Sequence, residues 1–290
     1  MIRATRTGWR LPAPVYRTVA VAASGRIFLL GGHDSGGGTI SDVYGLDPRT
    51  GRSARAGTLA LPTHGAAAAT LGGRILVFGG ASSFVHDVVQ AFNPANGKAR
   101  VIGSMPRARA DVTAAVVGRQ AVLSGGFDGV GPQSDVWATA DGKSFRVVAR
   151  LPQPVRYPAV AVHGSDVYVF GGLLSGGEYN GTFTTAIQRL HLPTGAATIV
   201  GHLPTPLAHA MGTAIGGRLL VVGGSTPART SAAILRFNPA TAKVSRVGTL
   251  PAPITDAAVA TIEDTTYLLG GVSGGRPLDT VTLVRLNQAK

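Results

Sequence analysis

In this chain, residues that can bind a polar group or transfer a proton recur just before the alanine-rich apolar segments. They recur again just after the apolar segments that end in a glycine pair. Aromatic, basic and acidic side chains that meet at a concave surface can hold a small polar ligand or an extended peptide. Surface loops are polar in most proteins, so an ordinary solvated surface is the competing interpretation. The candidate ligand-binding residues are Tyr16, Arg17, His33, His64, Asp111, Phe127, Asp128, Arg156, Tyr157, Glu178, Tyr179, His209 and Asp256.

Within this set, Glu178 is the candidate catalytic residue. It is one of only two glutamates and lies in the segment LLSGGEYNGTFTT (173–185). A carboxylate near Arg156, Tyr157 and His209 could act as a general acid or base on a sugar.

Metal and thiol chemistry have little support in the sequence. His33, His64 and Asp34 could together bind a divalent ion, but no HxH or HxxxH spacing accompanies them. The chain has no cysteine, which removes disulfides, thiolate metal sites and cysteine nucleophiles. We therefore expect neither a metal nor another cofactor.

The elements that must position these residues repeat six times. Each repeat contains four or five mostly apolar residues followed by a glycine pair, as in RIFLLGG, and successive pairs are 46 to 52 residues apart. Such a run predicts a buried strand, and glycine allows a positive φ and the close approach of a neighbouring chain. The six pairs are Gly31-Gly32, Gly79-Gly80, Gly125-Gly126, Gly171-Gly172, Gly223-Gly224 and Gly270-Gly271.

Alignment on the glycine pairs predicts four strands per repeat, here called a to d. A Leu-Pro or Met-Pro junction precedes strand a, strand b ends in the glycine pair, and a variable loop leads to strands c and d. In the second repeat the junction is assigned to Leu61-Pro62, displaced by two residues. Strand a is rich in alanine and valine, which suits an innermost strand buried on both faces. The d–a junctions and the b–c loops then share one face, where the candidate residues lie.

The chain ends are expected to complete one another. The last repeat stops after its strand c at Leu286, whereas residues 1–11 precede a Leu-Pro junction as a strand d does. We expect the N-terminal strand to supply the outer strand of the last repeat, which would leave no open sheet face at the join.

The six glycine pairs, the junction prolines and the strand c ends LDP (46–48) and FNP (92–94, 237–239) resemble kelch repeats over the whole chain. The resemblance implies one six-bladed β-propeller domain, residues 1–290, with four antiparallel strands per blade. The kelch junction arginine is matched only by Arg109. The implied blades are 12–59, 60–105, 106–151, 152–203, 204–250, and 251–290 together with 1–11.

Kelch propellers include enzymes, adaptors and binding modules, so the function has to be argued from the site. The leading hypothesis is a non-catalytic binding module that uses the junction and loop face. The alternative is a carbohydrate-acting enzyme that resembles sialic acid mutarotases, with Glu178 as acid/base.

Charge and hydropathy complete the expectations. The chain carries 27 Lys and Arg against 14 Asp and Glu, a net charge of +13, without a basic run of five to eight residues. We therefore expect dispersed charge and no specific nucleic-acid partner. No stretch reaches about 18 apolar residues, so no transmembrane segment is expected.

The protein is expected to be a monomer. Its predicted partner is a protein, a peptide or a small polar ligand such as a sugar. The compartment stays open: a removed signal peptide or anchor would suit the cell envelope or the extracellular space.

Overall fold

The computed structural model describes residues 2–177 and 180–286, and this part of the chain contains 28 β-strands and no helix. The all-β class is therefore confirmed. The N-terminal strand β1 spans Ile2–Arg10.

Each repeat forms an antiparallel set of four strands that pair in the order a, b, c, d. The first two sets are β2 (Val19–Ala23), β3 (Arg26–Leu30), β4 (Asp42–Leu46), β5 (Ser53–Thr58), and β6 (Ala67–Leu71), β7 (Arg74–Phe78), β8 (Val88–Asn93), β9 (Lys98–Ser104). The third set is β10 (Thr113–Val117), β11 (Gln120–Ser124), β12 (Gln133–Thr139) and β13 (Arg146–Val155).

The later repeats add short hairpins inside the b–c loops. The fourth repeat comprises β14 (Ala159–His163), β15 (Asp166–Phe170), the hairpin β16 (Leu173–Ser175) and β17 (Thr182–Phe183), β18 (Ala186–His191) and β19 (Ala196–His202). The fifth comprises β20 (Met211–Ile215), β21 (Arg218–Val222), β22 (Ala233–Asn238) and β23 (Lys243–Thr249). The sixth comprises β24 (Ala258–Ile262), β25 (Thr265–Leu269), the hairpin β26 (Val272–Ser273) and β27 (Arg276–Pro277), and β28 (Thr280–Leu286). The fourth strand of this last set is β1, which pairs antiparallel with β28 from Ile2 opposite Leu286 to Arg10 opposite Thr280.

The glycine pairs are required by contacts between repeats. In all six pairs both glycines have a positive φ. The second glycine of each pair donates its N–H to a junction carbonyl of the next repeat. In the first repeat Gly32 donates to Thr63 O at 2.7 Å, and in the last repeat Gly271 donates to Val15 O at 2.8 Å. A Cβ on the first glycine of each pair would overlap the same carbonyl oxygen. A side chain at these positions would therefore break a hydrogen bond that joins neighbouring repeats.

Hydrophobic contacts follow the same cyclic order as these hydrogen bonds. Six clusters of buried side chains lie between consecutive sets of strands, and the last of them packs the sixth set against the first. Leu29 and Tyr44 of the first set, for example, lie in one cluster with Tyr267 and Leu269 of the sixth. Each set is thus buried on both faces.

Three details differ from the sequence prediction. The junction of the second repeat is Leu59 and not Leu61. Leu59 is 4% exposed, whereas Leu61 is 40% exposed. The N–H of Leu59 also bonds to Ser41 O, as the equivalent junction residues bond to their own loops. Strand β10 is only half-buried, with Val116 exposed. Strands β5 and β9 meet at a parallel bridge between Thr58 and Lys98, since Gly57 and Gly97 have no side chains to hold them apart.

Candidate functional site at the channel mouth

The d–a junctions meet at one end of the axial channel through a closed cycle of backbone hydrogen bonds. Each of six residues, one per repeat, donates its N–H to the carbonyl of the equivalent residue of the preceding repeat, at 2.6 to 3.3 Å, and the first residue donates to the last. All six have φ between 50° and 59°. We call this set the junction ring: Arg17, Gly65, Asp111, Tyr157, His209 and Asp256.

This backbone conformation disfavours the side chains that the ring carries. A positive φ is free for glycine and costs other residues roughly 1 kcal/mol or more, least for Asp and Asn. Glycine occupies only one of the six positions, Gly65, and the other five hold ionisable or aromatic polar side chains. The backbone conformation alone would favour glycine at every position, so these five side chains are held at a steric cost.

Two arginines share one carboxylate in this cluster. Arg17 Nη2 lies 2.5 Å from Asp111 Oδ1, and Arg156 Nη2 lies 2.8 Å from Oδ2. Both guanidinium groups also donate to the hydroxyl of Tyr157, at 2.6 and 2.7 Å. Asp111 is almost fully buried, and the side chains of Arg17 and Arg156 are only 10% and 11% exposed. Burial of charged groups is costly unless they are paired and hydrogen-bonded, as these are.

Gly65 makes room for this pairing. A Cβ at residue 65 would lie 2.6 Å from Asp111 Oδ1 and 3.4 Å from Arg17 Nη2. The one glycine of the ring therefore stands where a side chain would displace the shared carboxylate.

An imidazole and a carboxylate form a second pair in the ring. His209 Nδ1 lies 2.8 Å from Asp256 Oδ1, and the Thr255 hydroxyl donates to Oδ2 at 3.2 Å. Burial acts to raise the pKa of Asp256, but the His209 ring, Arg17 and the Thr255 hydroxyl together hold that pKa below its usual 3.8. The carboxylate thus accepts a hydrogen bond from Nδ1 and fixes the orientation of the imidazole. The Tyr157 ring stacks on His209 with centroids 3.9 Å apart.

Next to the junction ring, on the side of the first two repeats, three aromatic side chains stack on one another. His33 lies on His64 with ring centroids 4.0 Å apart, and Tyr16 lies 5.0 Å from His33. Thr39 Oγ1 is 2.9 Å from His64 Nδ1. Burial, together with the positive fields of Arg17, His33 and His86, lowers the pKa of His64 from 6.5 to about 3.

Acidification should therefore destabilise the protein through His64. Between pH 6.5 and about 3 the unfolded chain binds a proton at residue 64 that the folded protein does not, so the free energy of unfolding falls as the pH falls. The variant His64→Gln has no proton to gain and can still bond Thr39. Chemical denaturation at several pH values should show that, between pH 6.5 and 4, the free energy of unfolding falls less steeply for the variant than for the native protein. Above pH 7 the two plots of this free energy against pH should be parallel. Equal slopes below pH 6 would contradict this assignment.

A cavity of about 140 Å³ is lined by all six residues of the junction ring and by the residues that follow them in the chain. It continues into a channel section of about 200 Å³ that is lined by strands a. The first volume is below the range of pockets for drug-sized ligands, so the mouth suits a small molecule or one group of a larger one.

The remaining candidates from the sequence lie at different places. Phe127 belongs to the cluster, because the Arg156 guanidinium lies 4.4 Å from its ring centroid. Asp128 contacts its own loop, accepting hydrogen bonds from Val130 N and Gly131 N at 3.0 Å, and its other neighbour is Arg107 at 3.5 Å. Glu178 and Tyr179 lie outside the described residues, so their predicted roles stay predictions. Within residues 2–177 and 180–286, no group of three His, Asp or Glu could hold a metal ion.

Two features of the site were missed by sequence reasoning. Gly65 is the sixth ring position, and the repeat alignment would have found it because it lies 48 residues after Arg17 and 46 before Asp111. Arg109, the kelch-like junction arginine, is not at the mouth but fully buried, with its guanidinium 3.7 Å from the Trp137 ring centroid and Nη1 bonded to Gly125 O and Asp135 O. Its role is therefore structural.

Comparisons with known proteins support the fold and leave the activity open. No family model matches the chain, and no curated protein matches its sequence. A solved structure described as "Structure of YjhT" is similar to this one with a TM-score of 0.81 over 97% of each chain, at 16% sequence identity. No helix in the described part of the chain is long and apolar enough to cross a membrane. The chain thus shares its overall fold with YjhT, at low sequence identity.

Proposed function

We propose that this protein is a six-bladed β-propeller of the kelch type. Six four-strand sets, six hydrophobic clusters in cyclic order and two sets of hydrogen bonds that pass from each repeat to the next support this architecture. The pairing of β1 with β28 supports closure through the N-terminal strand. The likeness to YjhT is consistent with such a fold.

We propose further that the channel mouth binds a small polar ligand of the sugar class and acts on it as a carbohydrate-acting enzyme. The junction ring carries this proposal, because five polar side chains occupy positions where the backbone favours glycine. Strained backbone positions of this kind concentrate at functional sites. Guanidinium, carboxylate and hydroxyl groups are donors and acceptors for sugar hydroxyls or a sugar carboxylate, and aromatic rings pack against the apolar face of a sugar.

The chemistry that fits this group of residues is the interconversion of sugar anomers, the reaction of the sialic acid mutarotases named in the alternative hypothesis. One proton leaves the anomeric hydroxyl while the bond between the anomeric carbon and the ring oxygen breaks and that oxygen gains a proton. Ring closure on the other face reverses both transfers, so no cofactor is consumed. Tyr157, with a hydroxyl held by two guanidinium groups, and the pair of His209 and Asp256 are the described groups that could transfer protons.

A non-catalytic binding module is the second candidate, and one observation favours it. The His209 side chain has no exposed surface, so in this conformation the imidazole supports the Tyr157 ring rather than a ligand.

The test uses freshly dissolved single anomers of neutral sugars and of N-acetylneuraminate. Proton NMR should show faster approach to anomeric equilibrium with protein, and Tyr157→Phe should slow it at least about tenfold if its hydroxyl transfers a proton. Saturable binding without acceleration would favour the binding module. Neither binding nor acceleration for any sugar would overturn the proposal of a sugar site.

A matched pair of glycine variants tests the location of the site. Gly65→Ala should weaken sugar binding at least about tenfold, because its Cβ overlaps the Asp111 carboxylate. Gly118→Ala is the control: Gly118 has φ 60°, close to the 59° of Gly65, and open space around it. Both variants share the backbone cost of alanine at a positive φ. A difference between their sugar affinities, measured by calorimetry, therefore reports the overlap of the Cβ with Asp111. Equal effects on binding would place the ligand elsewhere.

A further inference from the structure

Basic residues are frequent on the outer strands of five of the six repeats. Strands β1, β5, β9, β13 and β23 carry ten Lys and Arg and not one Asp or Glu. Cations on exposed edge strands prevent edge-to-edge aggregation, which is sufficient reason for most of them. Several of them are also neutralised locally, since Arg10, Arg55 and Arg150 each pair with an aspartate.

One group of unpaired cations lines a groove. Arg74 on β7 and Lys98 and Arg100 on β9 are exposed, and no carboxylate of the described residues lies within ion-pair distance of them. They line a groove of about 540 Å³ together with Asn93 and Asn96. Residues of the a–b and c–d turns form this groove, so it lies at the opposite end of the blade from the channel mouth.

Strand register explains why the charge is unbalanced here. Arg74, Asn93 and Lys98 form one row across three strands, because Ile75 pairs with Phe92 and Asn93 with Lys98. In the first repeat the same row is Arg26, Asp47 and Arg52, so a carboxylate lies between the two cations. Asn93 replaces that carboxylate with a neutral amide of the same shape.

Space for a ligand comes from a small residue in the next row. Ala91 pairs with Arg100 in the second repeat, and in the fifth repeat its position is taken by Arg236. The fifth repeat has the same first row, Arg218, Asn238 and Lys243, but a long side chain stands where the groove of the second repeat has a methyl group.

We propose that the groove of the second repeat is a second ligand site and binds a phosphate or sulfate group. Two guanidinium groups and an ammonium group supply charge-assisted hydrogen bonds to such an oxyanion, and the two amide side chains supply neutral donors.

The substitution Asn93→Asp tests the site with little risk to folding. Asn93 Oδ1 accepts a hydrogen bond from Ala95 N at 2.9 Å, and Asp47 makes the same turn in the first repeat with Arg49 N at 2.8 Å. The variant should raise the Kd for inorganic pyrophosphate by at least about tenfold, because it places a carboxylate among the three cations. Asn238→Asp is the matched control, since Asn238 caps the same turn of the fifth repeat, and it should change the Kd less than about twofold.

Calorimetric titrations at about 50 mM NaCl should use pyrophosphate and, separately, galactose 6-sulfate, and the tighter probe identifies the source of the oxyanion. If Asn93→Asp folds poorly, Arg100→Ala, an exposed substitution, should weaken the same binding several-fold. The proposal is overturned if the native protein binds neither probe, or if Asn93→Asp and Asn238→Asp have equal effects.

Discussion

Asp111→Asn should lower the free energy of unfolding by about 3 kcal/mol or more, because it removes the charge shared by two nearly buried guanidinium groups. The amide keeps the shape of the carboxylate, and asparagine tolerates the positive φ of 55° at this residue. The loss therefore measures the uncompensated charge of Arg17 and Arg156 rather than a cavity or backbone strain. Urea denaturation gives the difference directly.

The matched control for this variant is Asp42→Asn. Asp42 binds Arg55 at 2.7 Å, a distance similar to those at Asp111, but the Arg55 side chain is 60% exposed. An exposed pair contributes roughly 0 to 1 kcal/mol, so this variant should be nearly neutral. Similar losses in the two variants would show that the cluster at the mouth is solvated in solution, and would remove the basis for a closed polar site there.

Deletion of residues 2–10 should cause the other large loss. Strand β1 pairs with β28 at six positions, and its first residue, Ile2, is buried among side chains of the fifth and sixth repeats. Hydrogen bonds contribute about 1 kcal/mol each and the exposed apolar area adds to this, so the melting temperature should fall by on the order of 10 °C. Differential scanning calorimetry measures the change.

A synthetic peptide of residues 1–11 provides the control for this deletion. Because the deletion leaves the edge of β28 unpaired, the peptide should bind there and raise the melting temperature of the truncated protein in a concentration-dependent way. A scrambled peptide should not. A truncated protein that melts within two degrees of the intact one would contradict closure by β1.

Periodic sequence features predicted the strands well because their causes are local. The six glycine pairs, the alanine-rich strands a and the apolar strands b recur at similar spacing, and in the structure every strand b ends directly before its glycine pair. The repeat alignment also predicted that Arg17, Asp111, Tyr157, His209 and Asp256 share one face. Equivalent positions of a repeat must lie at the same end of their strands, whatever the residues are.

Only the tertiary structure decided how these side chains pair. Arg17 and Asp111 are 94 residues apart and meet because Gly65, the ring residue between them, has no side chain. The positive φ of the ring, the exposure of Leu61 and the complete burial of His209 and Arg109 likewise follow from contacts between repeats. Local sequence determines which strand a residue belongs to, but the charge balance and solvent access of a site depend on distances across the channel. Those distances exist only once all six repeats have packed together.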